Sequence, residues 1–370
     1  GVPCPWRGQG QTGVFRTSWK LDAVKFRHPF LACGCCLVLL AGIALLDGCS
    51  RGKSSSKEMA YVSAPQAFLR DQVAAVYNQA GTVKNGEAVE ILGRDRRFAR
   101  VRTSGGAEGW LEQRYLVSQD TYDAFQKLAQ QSRNDPVQAT AIAHNPSNIH
   151  LEPARDAEHL YQMDQGAKLA LLKRASSEKL LPGGQARPAA PGKAPAPTPM
   201  EDWWLVRDET GHVGWVLGRM LDVDVPIEIA QYSEGQRLVA SFVLDRVSDD
   251  EKQVPQYLVL FTENKDGLPF DYNQLRVFTW NVRKHRYETA YRERNLNGVL
   301  PVTVSHETFD KEGDLPVFVV RVKDDAGNLT ERKYKLNTPI VRRVLAPGEQ
   351  KDVSRQSSVV RKKIRKKERR

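Results

Sequence analysis

The chain has 370 residues, 27% of them charged, with a formal net charge of +11 and five cysteines. Those cysteines, Cys4, Cys33, Cys35, Cys36 and Cys49, all lie at or before position 49, which excludes disulfide staples, cysteine-ligated zinc and a cysteine nucleophile from the rest of the chain. The positive charge sits at the ends: the last twenty residues carry ten basic and two acidic side chains, residues 1–48 carry five and two, and 49–350 is near neutral.

The first organised stretch is an export pattern. Lys25 and Arg27 lead into an apolar run from Phe30 to Leu46, closed by small residues and Cys49, with a serine-rich tether (Ser50, Ser54, Ser55, Ser56) beyond. A charged start, a short apolar centre and a small residue before the cut describe a signal peptide over 1–48. Residues 1–23 read as a gene-start artefact with no weight in the fold, since the first methionine is Met59. The closing Leu46-Asp47-Gly48-Cys49 resembles the lipobox of bacterial lipoprotein precursors, although Asp47 stands where a small uncharged residue is usual. The resemblance implies lipidation at Cys49, attachment to a membrane, and exposure of the following chain to the cell envelope, with Ser50 compatible with an outer-membrane destination. A single transmembrane helix is the alternative, because the run is at the lower end of spanning lengths.

After a tether at 49–59, the sequence repeats itself. Val101 to Leu116 aligns without a gap on Val206 to Leu221, with the Val-Arg start, the Gly-Trp pairs Gly109-Trp110 and Gly214-Trp215, and the final leucine in common. Gly86 to Arg94 aligns on Gly166 to Arg174, and Leu69-Arg70 is set against Leu151-Glu152. Val89, Ile91, Leu169 and Leu171 alternate as in strands with one buried face. Gly106 and Gly211 mark tight hairpins, and Gly109 and Gly214 suit a close backbone approach. The first copy, 60–118, resembles the bacterial Src-homology-3-like domain through Leu69-Arg70, Gly86, Val89, Ile91, Leu92, Phe98 to Val101, Gly109-Trp110-Leu111 and Tyr115-Leu116. The second, 141–224, is similar from Gly166 on. The resemblance implies two small antiparallel barrels used for binding or wall targeting, without catalysis.

Between the copies, in the linker 119–140, a helix is expected from Asp120 to Asn134, capped by Asp120, with Tyr122, Phe125 and Leu128 on one face and Pro136 after its end. The second copy carries an insert at 175–202 rich in proline (Pro182, Pro188, Pro191, Pro195, Pro197, Pro199), a composition that does not fold on its own. From 226 to 345 the pattern is again strand-rich, with strands centred on 238–244, 257–261, 275–280, 287–292, 317–322 and 329–334 and a turn at Asp324 to Asn328. An antiparallel sandwich-like or barrel-like sheet of no recognisable family is expected there. The basic tail, 346–370, reads as disordered and able to meet anionic lipid or wall polymers; nucleic acid has no place behind an export signal.

Catalytic signatures are thin. His144, His150, His159, His212, His285 and His306 show no zinc-ligand spacing, and Asp310, Glu312 and Asp314 read as a charged turn. No cofactor or metal is implied, and the chain is expected not to be an enzyme. Trp110, Tyr115, Trp203, Trp204 and Trp215 are the candidate ligand-binding residues, since sugars and peptide stems lie on exposed aromatics. A tryptophan after glycine, as at 110 and 215, is expected to fill a barrel core. Trp203 and Trp204 are adjacent on a strand and so face opposite ways; one is expected outside the core, beside the insert, with Trp204 the first choice. The expected whole is a mainly β, lipid-anchored envelope protein whose barrels bind peptidoglycan or an envelope protein. The rival readings are a wall hydrolase with its active site in 226–345, and a structural spacer.

Overall fold

A computed structural model describes residues 57–180, 198–324 and 326–345; Cys49, the signal region, the centre of the proline-rich insert and the basic tail fall outside them. The protein is mainly β, built as three antiparallel seven-stranded sheets in one compact unit. The first sheet comprises β1 (Glu58–Val62), β2 (Gln66–Arg70), β3 (Gln79–Lys84), β4 (Ala88–Asp95), β5 (Phe98–Thr103), β6 (Glu108–Glu112) and β7 (Leu116–Ser118). The second comprises β8 (Ala139–Ala143), β9 (Ser147–His150), β10 (His159–Met163), β11 (Lys168–Glu178), β12 (Met200–Asp208), β13 (Val213–Leu217) and β14 (Leu221–Val223). Their strand orders, β3-β2-β6-β5-β4-β1-β7 and β10-β9-β13-β12-β11-β8-β14, are the same order shifted by seven strands. Both carry a register irregularity at the same place, after Ile91 in β4 and after Leu171 in β11.

Alternation decides the inside of the first sheet. Leu69, Val89, Val101 and Leu111 point into its core, and the residues between them face outward, as a period of two requires. The close approach expected at the two Gly-Trp pairs is present. A Cβ on Gly109 would stand 2.7 Å from Leu69 Cβ and 3.0 Å from the Arg70 carbonyl oxygen, and one on Gly214 would stand 2.4 Å from Ile149 Cγ2 and 2.8 Å from the His150 carbonyl oxygen. Arg70 and His150 are also the respective cross-strand partners of Trp110 and Trp215. Leu69-Arg70 therefore corresponds to Ile149-His150, two residues before the Leu151-Glu152 pair that the sequence alignment selected. The shared leucine had misplaced the register of that loop.

The linker helix, α1 (Gln119–Gln131), begins one residue before expectation, and Ser118 caps it: its Oγ accepts from the Thr121 N–H at 3.2 Å. Asp120 lies in the first turn instead, where its charge suits the helix dipole. Tyr122 stacks on Tyr61 of the first sheet at 3.9 Å, while Phe125 meets the edge of Tyr161 of the second at 5.4 Å. Asn85 ties the two sheets directly. Its amide donates to the carbonyls of Ser63 at 3.0 Å and Leu160 at 2.7 Å, and its oxygen accepts from the Gln162 N–H at 3.3 Å.

The third sheet is a meander in chain order: β15 (Arg237–Asp249), β16 (Lys252–Thr262), β17 (Tyr272–Asn281), β18 (Arg286–Phe309), β19 (Gly313–Lys323), β20 (Leu329–Asn337) and β21 (Ile340–Val344). The expected strands are all present. β18 serves two neighbours in turn, pairing with β17 up to Gly298 and with β19 from there. One face of β16 and β17 (Tyr257, Phe261, Phe278) is covered by the short helix α2 (Ile227–Ala230) through Ile229. The other face shares a single core with the second sheet, in which Leu171, Val206 and Trp204 pack in one cluster with Val239, Leu258 and Val277. The strands β11 and β12 also pair through Ser176 and Asp202, so the hairpin continues well into the stretch read as insert.

A buried ionic network locks this junction. Asp202 Oδ1 accepts from Arg174 at 2.7 Å, Ser176 at 2.8 Å and the Gly267 N–H at 2.9 Å, and Oδ2 accepts from Arg237 at 3.2 Å. Arg174 continues to the Phe270 carbonyl at 3.0 Å and Asp271 at 3.2 Å. Burial by itself raises the Asp202 carboxyl, but the Gly267 N–H, Arg174 and Ser176 together hold it below its ordinary 3.8. The stability it contributes is therefore complete above that value and is lost as pH falls through the lowered one. Asp202→Asn is expected to cost about 3 kcal/mol near neutral pH, because it leaves buried Arg174 short of a charge partner. It should also flatten the acid loss of stability, read by denaturant unfolding from neutral down to about pH 3.

Candidate functional site

The five aromatic candidates have different surroundings. Trp203 is 1% exposed and Trp204 is 8% exposed. They do face opposite ways, but both faces of β12 are covered, so neither is the exposed platform that the sequence suggested. Trp203 meets the edge of His150 at 5.4 Å, and Trp204 lies in the core shared with the third sheet. Trp215 packs against the cluster of Leu172, Leu205 and Val213, as do Leu128 and Ala129 of α1. Tyr115 borders the first core beneath the Arg114 guanidinium, 4.7 Å from its ring centre. Trp110 and Trp215 do not fill barrel interiors: Leu111 and Val216 point inward, so the tryptophans beside them point out. Trp110 and Trp215 are both half-buried, and α1 packs beside β13, the strand that carries Trp215.

Around Trp110 the first sheet builds an aromatic face. β2 reads Gln66-Ala67-Phe68-Leu69-Arg70, with Ala67 and Leu69 buried, so Phe68 and Arg70 share the outer side. Arg70 is the cross-strand partner of Trp110, which puts the two side chains on one face. Phe68 is 51% exposed and Tyr77, in the β2–β3 loop, 38%. The Arg70 guanidinium lies 4.2 Å from the Tyr77 ring centre and 4.9 Å from that of Phe98, and donates to Glu112 at 3.1 Å. The loop carrying Tyr77 is pinned by Asp71, which accepts from the Asn78 backbone and side chain, both at 2.9 Å. Those bonds hold the Asp71 carboxyl below its ordinary value. A loop held by these bonds, three aromatic rings and an oriented cation are thus gathered on one face of the first sheet. Phe68, Arg70 and Tyr77 were not among the sequence candidates; the signal for Phe68 was its parity, a large aromatic between two inward residues.

The second sheet has no such face. Asn148 stands where Phe68 does and His150 where Arg70 does. His150 Nδ1 lies 3.1 Å from the Ala157 carbonyl, and burial pushes its pKa down. In the third sheet, His285 Nδ1 and Trp280 Nε1 converge on Asp249 Oδ2 at 2.8 and 2.7 Å, holding that carboxyl below its ordinary value. Glu312 is engaged by Lys335 at 2.9 Å. Among the described residues no group of three or more His, Cys, Asp or Glu side chains could hold a metal ion, and no helix is long and apolar enough to cross a membrane.

Residues 66–117 match the family model of the bacterial SH3 domain, so the sheet that carries the aromatic face is a bacterial SH3 domain. No curated protein matches the chain. Three solved structures align with parts of it. An NlpC/P60 family protein from Bacillus cereus is 10% identical over 51% of this chain and 65% of its own, with a TM-score of 0.21; the chain thus spans less than two thirds of that protein. NlpC2 from Trichomonas vaginalis is 12% identical over 79% and 99%, TM-score 0.16, and NlpC1 from the same organism 10% over 63% and 87%, TM-score 0.15.

Gly109 sets the distance between β6 and β2, and with it the position of Trp110 beside Arg70. Gly109→Ala is expected to destabilise the protein by about 1–3 kcal/mol through overpacking against Leu69 and the Arg70 carbonyl. Denaturant unfolding measures the loss, and tryptophan fluorescence should report the shifted hairpin.

Proposed function

We propose that the protein is a non-catalytic binding protein of the bacterial cell envelope, held to a membrane through Cys49, whose SH3 domain engages peptidoglycan or an envelope protein through the Phe68, Arg70, Tyr77 and Trp110 face. The observation that carries this reading is that face itself: aromatic rings left open to solvent on a domain of a type used for cell-wall binding. Rings of this kind offer apolar area to sugar faces and stem-peptide side chains, and Arg70 adds an oriented cation for carboxylates. The matching strand order supports reading the second sheet as a second SH3-like module. In this reading that module is a strut, because its outer face is occupied by α1 and its opposite face by the third sheet. The ten basic residues of the last twenty would add non-specific attraction to anionic lipid or wall polymers, dependent on salt.

The test is co-sedimentation of the protein with purified sacculi at about 0.5 M salt, where exposed charges more than a few ångströms apart are screened. Saturable pelleting is expected, weakened at least about tenfold by Tyr77→Ala combined with Trp110→Ala, equivalent to about 1.4 kcal/mol. The double variant should keep the wild-type unfolding temperature. Absence of pelleting would sink the wall reading and direct the search to protein partners; equal pelleting of both proteins would remove this face from the function.

A further inference from the structure

The chain enters the first sheet at an end that carries a basic hairpin. Glu58, the first residue of β1, is the cross-strand partner of Ile91 and the ion-pair partner of Arg94, near the end of β4. The β4–β5 hairpin, with Arg96-Arg97 between the paired Asp95 and Phe98, therefore turns at the end where the chain comes in. Gln113 fixes its tip: the backbone N–H donates to the Arg97 carbonyl at 2.8 Å, and the side-chain amide to the Arg96 and Phe98 carbonyls at 3.1 Å each. Lys57, Arg94 and Gln113 line one shallow depression of about 490 Å³ here. Arg94 is offset by Glu58, and Arg114 by Glu112. Arg96 and Arg97 follow the exposed Asp95, are themselves exposed, and form no ion pair among the described residues.

Nothing in the fold requires these two arginines. Arg96 holds a left-handed backbone, φ 51°, at a two-residue tip where glycine or asparagine costs less. The second sheet has Glu201 and Asp202 at the same two positions, and each is neutralised within the protein: Glu201 by Arg155, Asp202 by Arg174 and Arg237. The charge of the whole chain is divided in the same sense. Residues 49–118 hold eleven basic and seven acidic side chains, whereas 119–350 hold twenty-nine and thirty-three. A molecule with this polarity turns its first sheet toward an anionic surface and the remainder away. Chain length indicates which surface. Lys57 comes eight residues after Cys49, and eight residues at full extension reach about 28 Å. An acyl anchor at Cys49 thus keeps the start of β1, and the arginine tip at the same end, within reach of lipid phosphates.

We propose that Arg96 and Arg97, with Lys57, dock the first sheet on the anionic phosphates of the bilayer that carries the anchor, so that the domain is oriented on the membrane as well as tethered to it. The inference rests on the anchored reading of Cys49, and the two fail separately: acylation is read from the mass of the protein recovered from membranes, docking from protein that carries no acyl chain. The experiment is flotation of the unacylated chain from Cys49 onward, which keeps the whole compact unit that begins at Lys57. The vesicles are equal parts phosphatidylglycerol and phosphatidylcholine at about 0.1 M salt, where the Debye length is about 10 Å. The basic tail is present in every variant and contributes alike to all. Arg96→Gln with Arg97→Gln is expected to weaken binding at least about tenfold, as the loss of two surface-facing charges requires. Arg96→Lys with Arg97→Lys, which keeps the charge, should stay within about threefold of the wild type. Arg246→Gln with Arg283→Gln removes the same charge from the third sheet and its hairpin, and should change binding by less than about twofold. All three proteins should keep the wild-type unfolding temperature, since the altered side chains are exposed. No flotation of the wild type, equal flotation of the folded Arg96→Gln, Arg97→Gln protein, or an equal loss in the Arg246 and Arg283 control overturns the docking face. Equal flotation with phosphatidylcholine alone overturns the assignment to anionic lipid.

Discussion

The carboxylate of Asp202 is the constraint on which the arrangement of the second and third sheets depends. It is almost fully buried, and both its oxygens are used by Arg174, Ser176, Arg237 and the Gly267 N–H. A buried ion pair contributes little net stability when weighed against its desolvation, but it is costly to break and admits few alternative geometries. Here the partners come from β11, β15 and the loop before β17, so one set of bonds orients three segments. In the first sheet the corresponding position is Arg97, an exposed residue whose guanidinium lies over Phe98. Arg94, at the position of Arg174, pairs there with Glu58. The exchange of arginine for aspartate at one position accompanies the change from an open depression to a domain junction.

The same strand order is consequently put to two uses. In the first sheet the outer face of β2 and β6 stays open, and its Phe68, Tyr77 and Trp110 are accessible. In the second, half-buried Trp215 packs against the same small cluster as Leu128 of α1, and Trp204 is buried in the core shared with the third sheet. Tyr61 on Tyr122 and the Asn85 amide then fix the open module to the covered one. The open aromatic face is thus carried on a fixed support, which under the proposed role would lower the entropy lost on engaging a ligand.

Much of this was legible in local pattern. Strands were visible where valine, isoleucine and leucine alternate with polar residues, and the two hairpins where Gly109-Trp110 recurs as Gly214-Trp215. The cap of α1 was misread because Asp120 and Ser118 are both competent caps and only the backbone path selects between them. The Leu69 correspondence was misread because identity at Leu151 outweighed the spacing to Gly214, which the close approach of Ile149 sets. The site was less legible still. A tryptophan's parity on its strand could be read, but what covers each side of the strand could not.

The sequence by itself determined the elements, the β class and the presence of a bacterial SH3 domain, because these follow from short-range periodicity and from glycine at positions where a side chain cannot fit. Tertiary structure alone decided which aromatics meet solvent. Burial depends on packing between segments far apart in the chain, such as that which places Trp204 and Val239 in one core. No local window contains both partners, so the exposed Phe68 and the buried Trp204 could be told apart only once the sheets were in place.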